Sequence, residues 1–174
     1  MQPKKPVLYL MLGYPGSGKT TTAKFIEEQT GAVHLWADHE RREMFGMPKH
    51  SPEESKQLYE HLNAVTERLL DSGQSVIFDT NFNYYSDRQH LREIAAKHGA
   101  DCKLLWVVAP EVLARKRATE QPEGEHTRVL GTMTNQEFET LVAKLEPPTK
   151  DETFIKIDGT KLNKEHLTQQ IGLA

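Results

Sequence analysis

A glycine-rich segment near the amino terminus constrains the fold of this chain more than any other feature. Its sequence, GYPGSGKT at residues 13–20, fits the pattern G-x-x-x-x-G-K-S/T. The apolar run Val7–Leu12 comes directly before it, and a helix predicted from about Lys19 to Gln29 follows it. A strand, a tight turn and a helix in this order predict a phosphate-binding loop (P-loop) in a sheet covered by helices.

Each part of this loop has a chemical role in holding a nucleotide. Glycines let successive backbone N–H groups turn toward phosphate oxygens, and the helix presents its positive amino-terminal end to the same anion. Lys19 is expected to reach the β- and γ-phosphates, and Thr20 to offer its hydroxyl to Mg²⁺. The predicted nucleotide contacts are Gly13, Tyr14, Pro15, Gly16, Ser17, Gly18, Lys19, Thr20 and Thr21.

The rest of the chain alternates short apolar runs with longer amphipathic stretches, which is typical of a parallel sheet between helices. Further strands are predicted at Ala32–Trp36, Ser75–Asp79, Lys103–Val108 and Phe154–Ile157. The expected fold is therefore an α/β, three-layer αβα sandwich with a five-stranded parallel sheet, as in P-loop NTPases.

Four predictions concern the helices and the segment over the site. A long helix should begin at Pro52, with Ser51 as its cap, and another should be capped by Ser86-Asp87. Residues 121–132 have no apolar period and predict a mobile loop, part of a helical lid over about residues 115–135. One face of the long helix is expected to carry Leu58, Leu62, Val65 and Leu69.

Length and composition favour a single domain over residues 1–174. The 22 basic and 25 acidic residues give a net charge of −3, which argues against a nucleic-acid packaging protein. The single cysteine excludes an internal disulfide, so a reducing, cytoplasmic environment is expected. The longest apolar runs have strand length, so we expect no membrane span and no targeting signal. No obligate protein partner is indicated.

Two carboxylates stand at predicted strand ends, where ligands of open α/β sheets bind. Asp79 is expected to face the P-loop and, with Thr20, to position Mg²⁺, although many strands end in Asp as a turn residue. Asp38 could accept the proton of an attacking hydroxyl as a general base. The alternative for Asp38, equally weighted, is a helix cap at residues 40–45.

Basic residues follow at two places. Either Arg41 or Arg42 should face the cleft, where a guanidinium suits an acceptor phosphate or carboxylate. In the lid, Arg115 and Arg117 point in different directions. Arg115 is selected as the arginine facing the phosphates, because residues 112–114 (VLA) are expected to place the core face beside it. Arg128 could approach the phosphates from the loop. The scattered histidines form no zinc-binding pattern.

These residues together resemble the small P-loop kinases, whose fold is adenylate-kinase-like. They are most similar to the group that contains the 5′-kinase domain of polynucleotide kinase and the zeta-toxin-related predicted kinases. The resemblance runs from Leu8 to about Gly159 and is carried by the P-loop, Asp38 with Arg41, residues 79–83 (DTNFN) with Arg88, and the lid helix. The stretch from Glu146 to Glu152 also matches.

The resemblance implies roles for individual residues. Asp38 matches the general base, Arg41 an arginine that contacts an acceptor phosphate, and Asp79 the supporting acid beside the phosphate loop. Asp79, Asn81 and Arg88 belong to the matched segment and are expected to bind the substrate. Arg115 matches a lid arginine. Two departures, Ala37 before the base and Thr119 in the lid helix, weaken a polynucleotide acceptor in particular.

The sequence therefore predicts an ATP- and Mg²⁺-dependent kinase acting on a hydroxyl. The acceptor could be a nucleic-acid 5′ end, a nucleoside or nucleotide, or a sugar. The catalytic residues would be Lys19, Asp38, Arg115 and Arg128. One alternative is a nucleotide-dependent switch without an acceptor, although the N-K-x-D segment of switch GTPases is missing. Another is a toxin-type kinase of a sugar nucleotide, for whose extra helices 174 residues leave little room.

Overall fold

Five parallel strands form one sheet in the computed structural model, which describes residues 5–81, 84–121 and 131–173. The strands lie in the order β2-β3-β1-β4-β5, and every neighbouring pair is parallel. The predicted five-stranded parallel sheet is confirmed. Its members are β1 (Val7–Leu12), β2 (Val33–Trp36), β3 (Val76–Asp79), β4 (Asp101–Val108) and β5 (Phe154–Asp158).

Helices connect these strands and cover both faces of the sheet. In the described parts of the chain they are α1 (Lys19–Thr30), α2 (Ala37–Phe45), α3 (Pro52–Asp71), α4 (Tyr85–Lys97), α5 (Glu111–Thr119), α6 (Asn135–Lys144) and α7 (Lys164–Ile171). None of these described helices has the length and apolar character needed to cross a membrane.

Alternating side chains of β1 divide the core into two layers, because successive strand residues point to opposite faces. Leu8, Leu10 and Leu12 pack in one cluster with residues of α3 and α4. Tyr9 and Met11 pack in a second cluster with residues of α1 and α7. The result is the predicted three-layer sandwich, with its sheet buried on both sides.

The strand order brings the P-loop and Asp79 to the same edge of the sheet. β1 and β3 are neighbours, with Leu10 opposite Phe78, so the chain emerges from both strands side by side. It continues from β1 into α1 on one face and from β3 into α4 on the other. Ligands of open α/β sheets bind in the crevice where the connections diverge in this way.

The buried face of α3 differs slightly from the prediction. Thr66 and Leu70 are buried, whereas Val65 and Leu69 are only partly buried against the same core. The Thr66 hydroxyl donates to the carbonyl of Leu62 at 2.8 Å, which satisfies its hydrogen-bonding need inside the core.

The amino terminus of α4 is capped from a distant part of the chain rather than by Ser86-Asp87. The N–H of Tyr85 donates to Glu146 Oε2 at 2.7 Å. This carboxylate satisfies one of the N–H groups that a helix leaves without an internal partner, and its charge suits the positive helix end. The segment after α6 is thereby attached to α4.

Arg88, which the sequence placed at the acceptor, is a buried structural residue, so that prediction is wrong. Its Nε and Nη2 donate to the two carboxylate oxygens of Glu152, each at 2.7 Å, and its Nη1 donates to the Glu146 carbonyl at 3.1 Å. The side chain is fully buried. All three nitrogens are occupied inside the protein, which leaves no edge for a substrate.

The same contacts make this carboxylate unusually acidic. Burial alone would raise the pKa of Glu152, but hydrogen bonds from Arg88, the Thr149 N–H and Arg92 outweigh it and hold the pKa at about 2. The ordinary value is 4.5. Because the folded-state pKa is the lower one, the ion pair stabilises the protein above about pH 4.5, and this stabilisation is lost as the pH falls toward 2.

We expect Glu152→Gln to lower the free energy of unfolding at neutral pH by about 3–5 kcal/mol, because it leaves the Arg88 charge buried without a counterion. The variant should also lose less stability on acidification than the wild type. Urea unfolding at neutral pH and at about pH 3 measures both effects. The control Asp101→Asn removes an exposed pair with Lys5 and should cost at most about 1 kcal/mol. Wild-type stability in Glu152→Gln would contradict the assignment.

Candidate nucleotide and acceptor site

The P-loop curves around the ammonium group of Lys19, which lies at its end. Lys19 Nζ donates to the carbonyl oxygens of Gly13 at 2.8 Å and Tyr14 at 2.9 Å. The Lys19 side chain is largely buried, so its charge is concentrated at the mouth of the loop rather than dispersed in solvent. Gly13 and Tyr14 contribute to the site through these carbonyls.

Two glycines give the loop its shape. Gly16 has a φ of 77°, and a Cβ at this position would collide with the carbonyl of Ala114 in α5. Gly18, with a φ of 111°, is the cap residue before α1, which has no side-chain cap and no acidic residue in its first turn. The first N–H groups of α1 are therefore left for an anionic ligand, which the positive helix end attracts.

Asp79 is hydrogen-bonded from two sides. Thr20 Oγ1 donates to Asp79 Oδ2 at 2.9 Å, and His34 Nε2 lies 2.9 Å from the same oxygen. The carboxylate is almost fully buried beside the loop. A hydroxyl and a carboxylate next to a phosphate site are hard oxygen donors, which fit a Mg²⁺ ion that keeps several waters and nucleotide phosphate ligands.

Asp38 and Arg41 form the opposite side of the site, one helical turn apart on the same face of α2. α2 begins at Ala37 with Trp36 as its cap residue and has no side-chain cap, so Asp38 is not the helix cap that the alternative proposed. Within the described ranges, no side chain donates a hydrogen bond to the Asp38 carboxylate. Its oxygens are available to a ligand.

The Arg41 guanidinium is buried and held by the start of α3. Its Nη2 donates to Ser55 Oγ at 3.1 Å, and its Nη1 lies 3.7 Å from Glu54 Oε2 without forming a hydrogen bond in the described structure. Arg41 rather than Arg42 faces the cleft. Because this guanidinium lines the cavity, it suits a ligand that carries an acceptor oxygen or a negative charge.

A single cavity of about 260 Å³ joins the two sides. Ser17, which was predicted to contact the nucleotide, lies behind the wall and is fully buried. The lining includes these predicted residues: Pro15, Gly16, Gly18, Lys19, Thr20, Thr21, Asp38, Arg41, Asp79 and Asn81.

In α5, Arg117 and not Arg115 faces this cavity. Arg117 Nη1 donates to the carbonyls of Gly159 at 2.9 Å and Gly16 at 3.3 Å. Arg115 instead donates to Glu111 at 2.9 Å and Glu139 at 3.0 Å, outside the cleft. The choice of Arg115 for the cavity-facing position is therefore corrected to Arg117.

Four other residues complete the comparison with the sequence. Arg128 lies outside the described residues. Trp36 and Leu162 line the cavity, and the sequence analysis assigned neither of them. His34 was also missed: it lies in β2, whose position next to β3 places it beside Asp79. The contact between His34 and Asp79 follows from the strand order, which the sequence does not give. The signal in the sequence was a histidine four residues before Asp38.

The parallel sheet, the loop and the helix that starts from it define this chain as a P-loop NTPase, a fold that implies nucleotide binding. The family model described as an AAA domain, AAA_33, matches residues 8–148, and the chain belongs to this family. No curated protein sequence matches the chain.

Solved structures share the fold along most of the chain. A sugar kinase from Janibacter sp. HTCC2649 is 21% identical with a TM-score of 0.68, and the match covers 97% of this chain and 96% of that chain. Kti12 from Chaetomium thermophilum, solved with ADP-AlF3, is 20% identical with a TM-score of 0.73 and 95% coverage of both chains. A chain of the Pnkp1/Rnl/Hen1 RNA repair complex is 26% identical with a TM-score of 0.65; the match covers 81% of this chain but 44% of that chain.

We expect Arg117→Ala to weaken ADP binding about tenfold, because the charged hydrogen bonds that hold α5 and the loop after β5 against the P-loop are lost. Isothermal titration calorimetry with ADP measures the change. Arg115→Ala is a matched control on the same helix, and its ADP affinity should stay at the wild-type value. A greater loss of affinity in Arg115→Ala than in Arg117→Ala would restore the original choice.

Proposed function

We propose that this chain is an ATP-dependent kinase that transfers the γ-phosphoryl group of ATP to a hydroxyl. The observation that carries the proposal is the placement of Asp38 in the same cavity as the P-loop. A module that only binds nucleotide has no need of a carboxylate and a buried arginine on the side facing the phosphates. A kinase needs a general base there, and a group that binds and orients its acceptor.

The donor end of the cavity would hold ATP. Lys19 and the amino terminus of α1 supply positive charge for the phosphates. Thr20 and Asp79 would hold Mg²⁺, which neutralises charge on the β- and γ-phosphates when bound. Arg117 would contact the nucleotide from α5, and Arg128 remains a candidate for a second lid arginine.

The acceptor end would orient and deprotonate the hydroxyl. As the acceptor oxygen forms its bond to the γ-phosphorus, the bond from that phosphorus to the bridging oxygen of ADP breaks. Asp38 takes the hydroxyl proton, which is the role of the catalytic carboxylate in kinases. Arg41 and Asn81 would hold the acceptor so that its hydroxyl lies in line with the leaving oxygen.

The acceptor class that the site favours is a small molecule or the tip of a nucleic-acid strand. Among the described residues, the cavity lining has three side-chain cations and two carboxylates, while the chain as a whole has a net charge of −3. The cations are Lys19, Arg41 and Arg117. This charge balance suits a compact anionic or hydroxylated ligand better than a long phosphate backbone. A structural relative named as a sugar kinase supports a small-molecule acceptor, and one from an RNA repair complex supports a nucleic-acid end.

We expect Asp38→Asn to reduce acceptor phosphorylation by about 10²–10⁴-fold, because the amide cannot take the hydroxyl proton. Affinity for ADP should remain at the wild-type value, since Asp38 lies on the acceptor side. The assay uses γ-labelled ATP with a panel of acceptors: 5′-hydroxyl DNA and RNA, nucleosides, and sugars. Asp151→Asn changes an exposed aspartate that does not line the cavity, and it serves as the control.

Two results would contradict the proposal. One is label transfer by Asp38→Asn at the wild-type rate, which would remove the base from the mechanism. The other is wild-type protein that hydrolyses ATP but labels no acceptor in the panel, which would favour the nucleotide-dependent switch.

A further inference from the structure

The buried imidazole of His34 has no part in the chemistry proposed above, yet it contacts the carboxylate next to the P-loop. Its Nε2 lies 2.9 Å from Asp79 Oδ2, and the two side chains are 6% and 3% exposed. A carboxylate can only accept hydrogen bonds, so Nε2 carries the hydrogen and His34 is the donor.

The contact restricts how Asp79 can rotate. Thr20 Oγ1 and His34 Nε2 both donate to Oδ2 and approach it from different elements, α1 and β2. Two donors on one oxygen fix the plane of the carboxylate. The other oxygen, Oδ1, takes part in neither of these hydrogen bonds, and Asp79 lines the cavity, so we assign Oδ1 to a hydrated cation at the phosphates.

His34 is itself held in place by neighbours on both sides. Its ring stacks on Trp36, with ring centres 5.9 Å apart and planes inclined by 10°. Its Nδ1 lies 3.6 Å from Glu27 Oε2 of α1. An imidazole restrained in this way loses little further freedom when it binds Asp79, so the hydrogen bond is well suited to orienting the carboxylate.

The sheet does not need this hydrogen bond to keep its strands together. β2 and β3 are already joined by backbone pairing from Val33 opposite Val76 to Trp36 opposite Asp79. The bond therefore adds side-chain orientation at the end of the ladder rather than strand pairing.

We propose that His34 is a positioning residue that holds Asp79 in the orientation required to bind Mg²⁺ with the nucleotide. The inference rests on the proposed use of Mg²⁺–ATP. Without His34, Asp79 retains Thr20 as a donor, whose own oxygen must also serve the metal. Partners that orient metal ligands typically change metal affinity by about 10–100-fold when they are removed.

Three substitutions separate the hydrogen bond from the space that the ring fills. His34→Leu removes the donor and replaces the ring with an apolar side chain of similar size. His34→Gln places an amide N–H near the position of Nε2, within reach of Asp79. His34→Asn is polar but shorter, and its amide lies nearer the position of Nδ1, which faces Glu27.

The measurement is the affinity for ADP by calorimetry, with excess Mg²⁺ and with EDTA. We expect the enhancement of ADP affinity by Mg²⁺ to fall about tenfold or more in His34→Leu and His34→Asn and to recover in His34→Gln. Affinity in EDTA should stay at the wild-type value in all three variants. If His34→Leu does not fold, as judged by thermal unfolding, the comparison of His34→Gln with His34→Asn decides the question.

His98→Leu is the matched control. His98 follows α4 and lies 3.5 Å from both Glu67 and Asp71, away from the cavity. It should leave the Mg²⁺ enhancement unchanged. An unchanged enhancement in His34→Asn, or an equal loss of affinity with and without Mg²⁺, would overturn the positioning role.

The two proposals can fail separately. If wild-type protein binds ADP more tightly with Mg²⁺ but phosphorylates no acceptor, the proposed kinase function fails while the role of His34 is still decided by its variants. If Mg²⁺ does not enhance ADP binding in the wild type, the role of His34 is overturned.

Discussion

The pairing of β1 with β3 is the constraint on which the rest of the site depends. It brings the loop after β1 to the side of Asp79, so that Thr20 can donate to the carboxylate at 2.9 Å. Nothing in the local chain brings these two residues together, since 59 positions separate them. The hydrogen bond links α1 to β3, and β2, paired on the other side of β3, adds His34 and carries the chain into the helix of Asp38.

A second set of contacts attaches the segment after α6 to the body of the protein. Glu146 caps α4, and Glu152 receives Arg88 and Arg92 inside the core. A small separate cluster, which includes Ala114 and Phe138, packs α5 on α6. α5 and α6 therefore have an apolar contact of their own, while the chain beyond α6 is fixed by buried charge.

Particular residues show where inference from the sequence succeeds and where it stops. The P-loop and Pro52 as a helix start carry local signals, and both were predicted correctly. Arg115 was chosen over Arg117 because Val112 and its neighbours were taken as the buried face of α5. Val112 is in fact 82% exposed. The buried face of α5 is short and contains alanines, so its apolar pattern is too weak to orient the helix.

The sequence alone determined the alternation of strands and helices, the phosphate loop, and the two carboxylates near the ends of β2 and β3. These features follow from local rules: side-chain periodicity, glycine at positive φ and the helix start after the loop. Only the tertiary structure decided the partners of buried charge. Arg88 binds Glu152 rather than a substrate, and His34 meets Asp79, because strand order and helix packing join residues far apart in the chain. The sequence shows that a side chain is charged, but it does not show whether the counterion belongs to the protein or to a ligand.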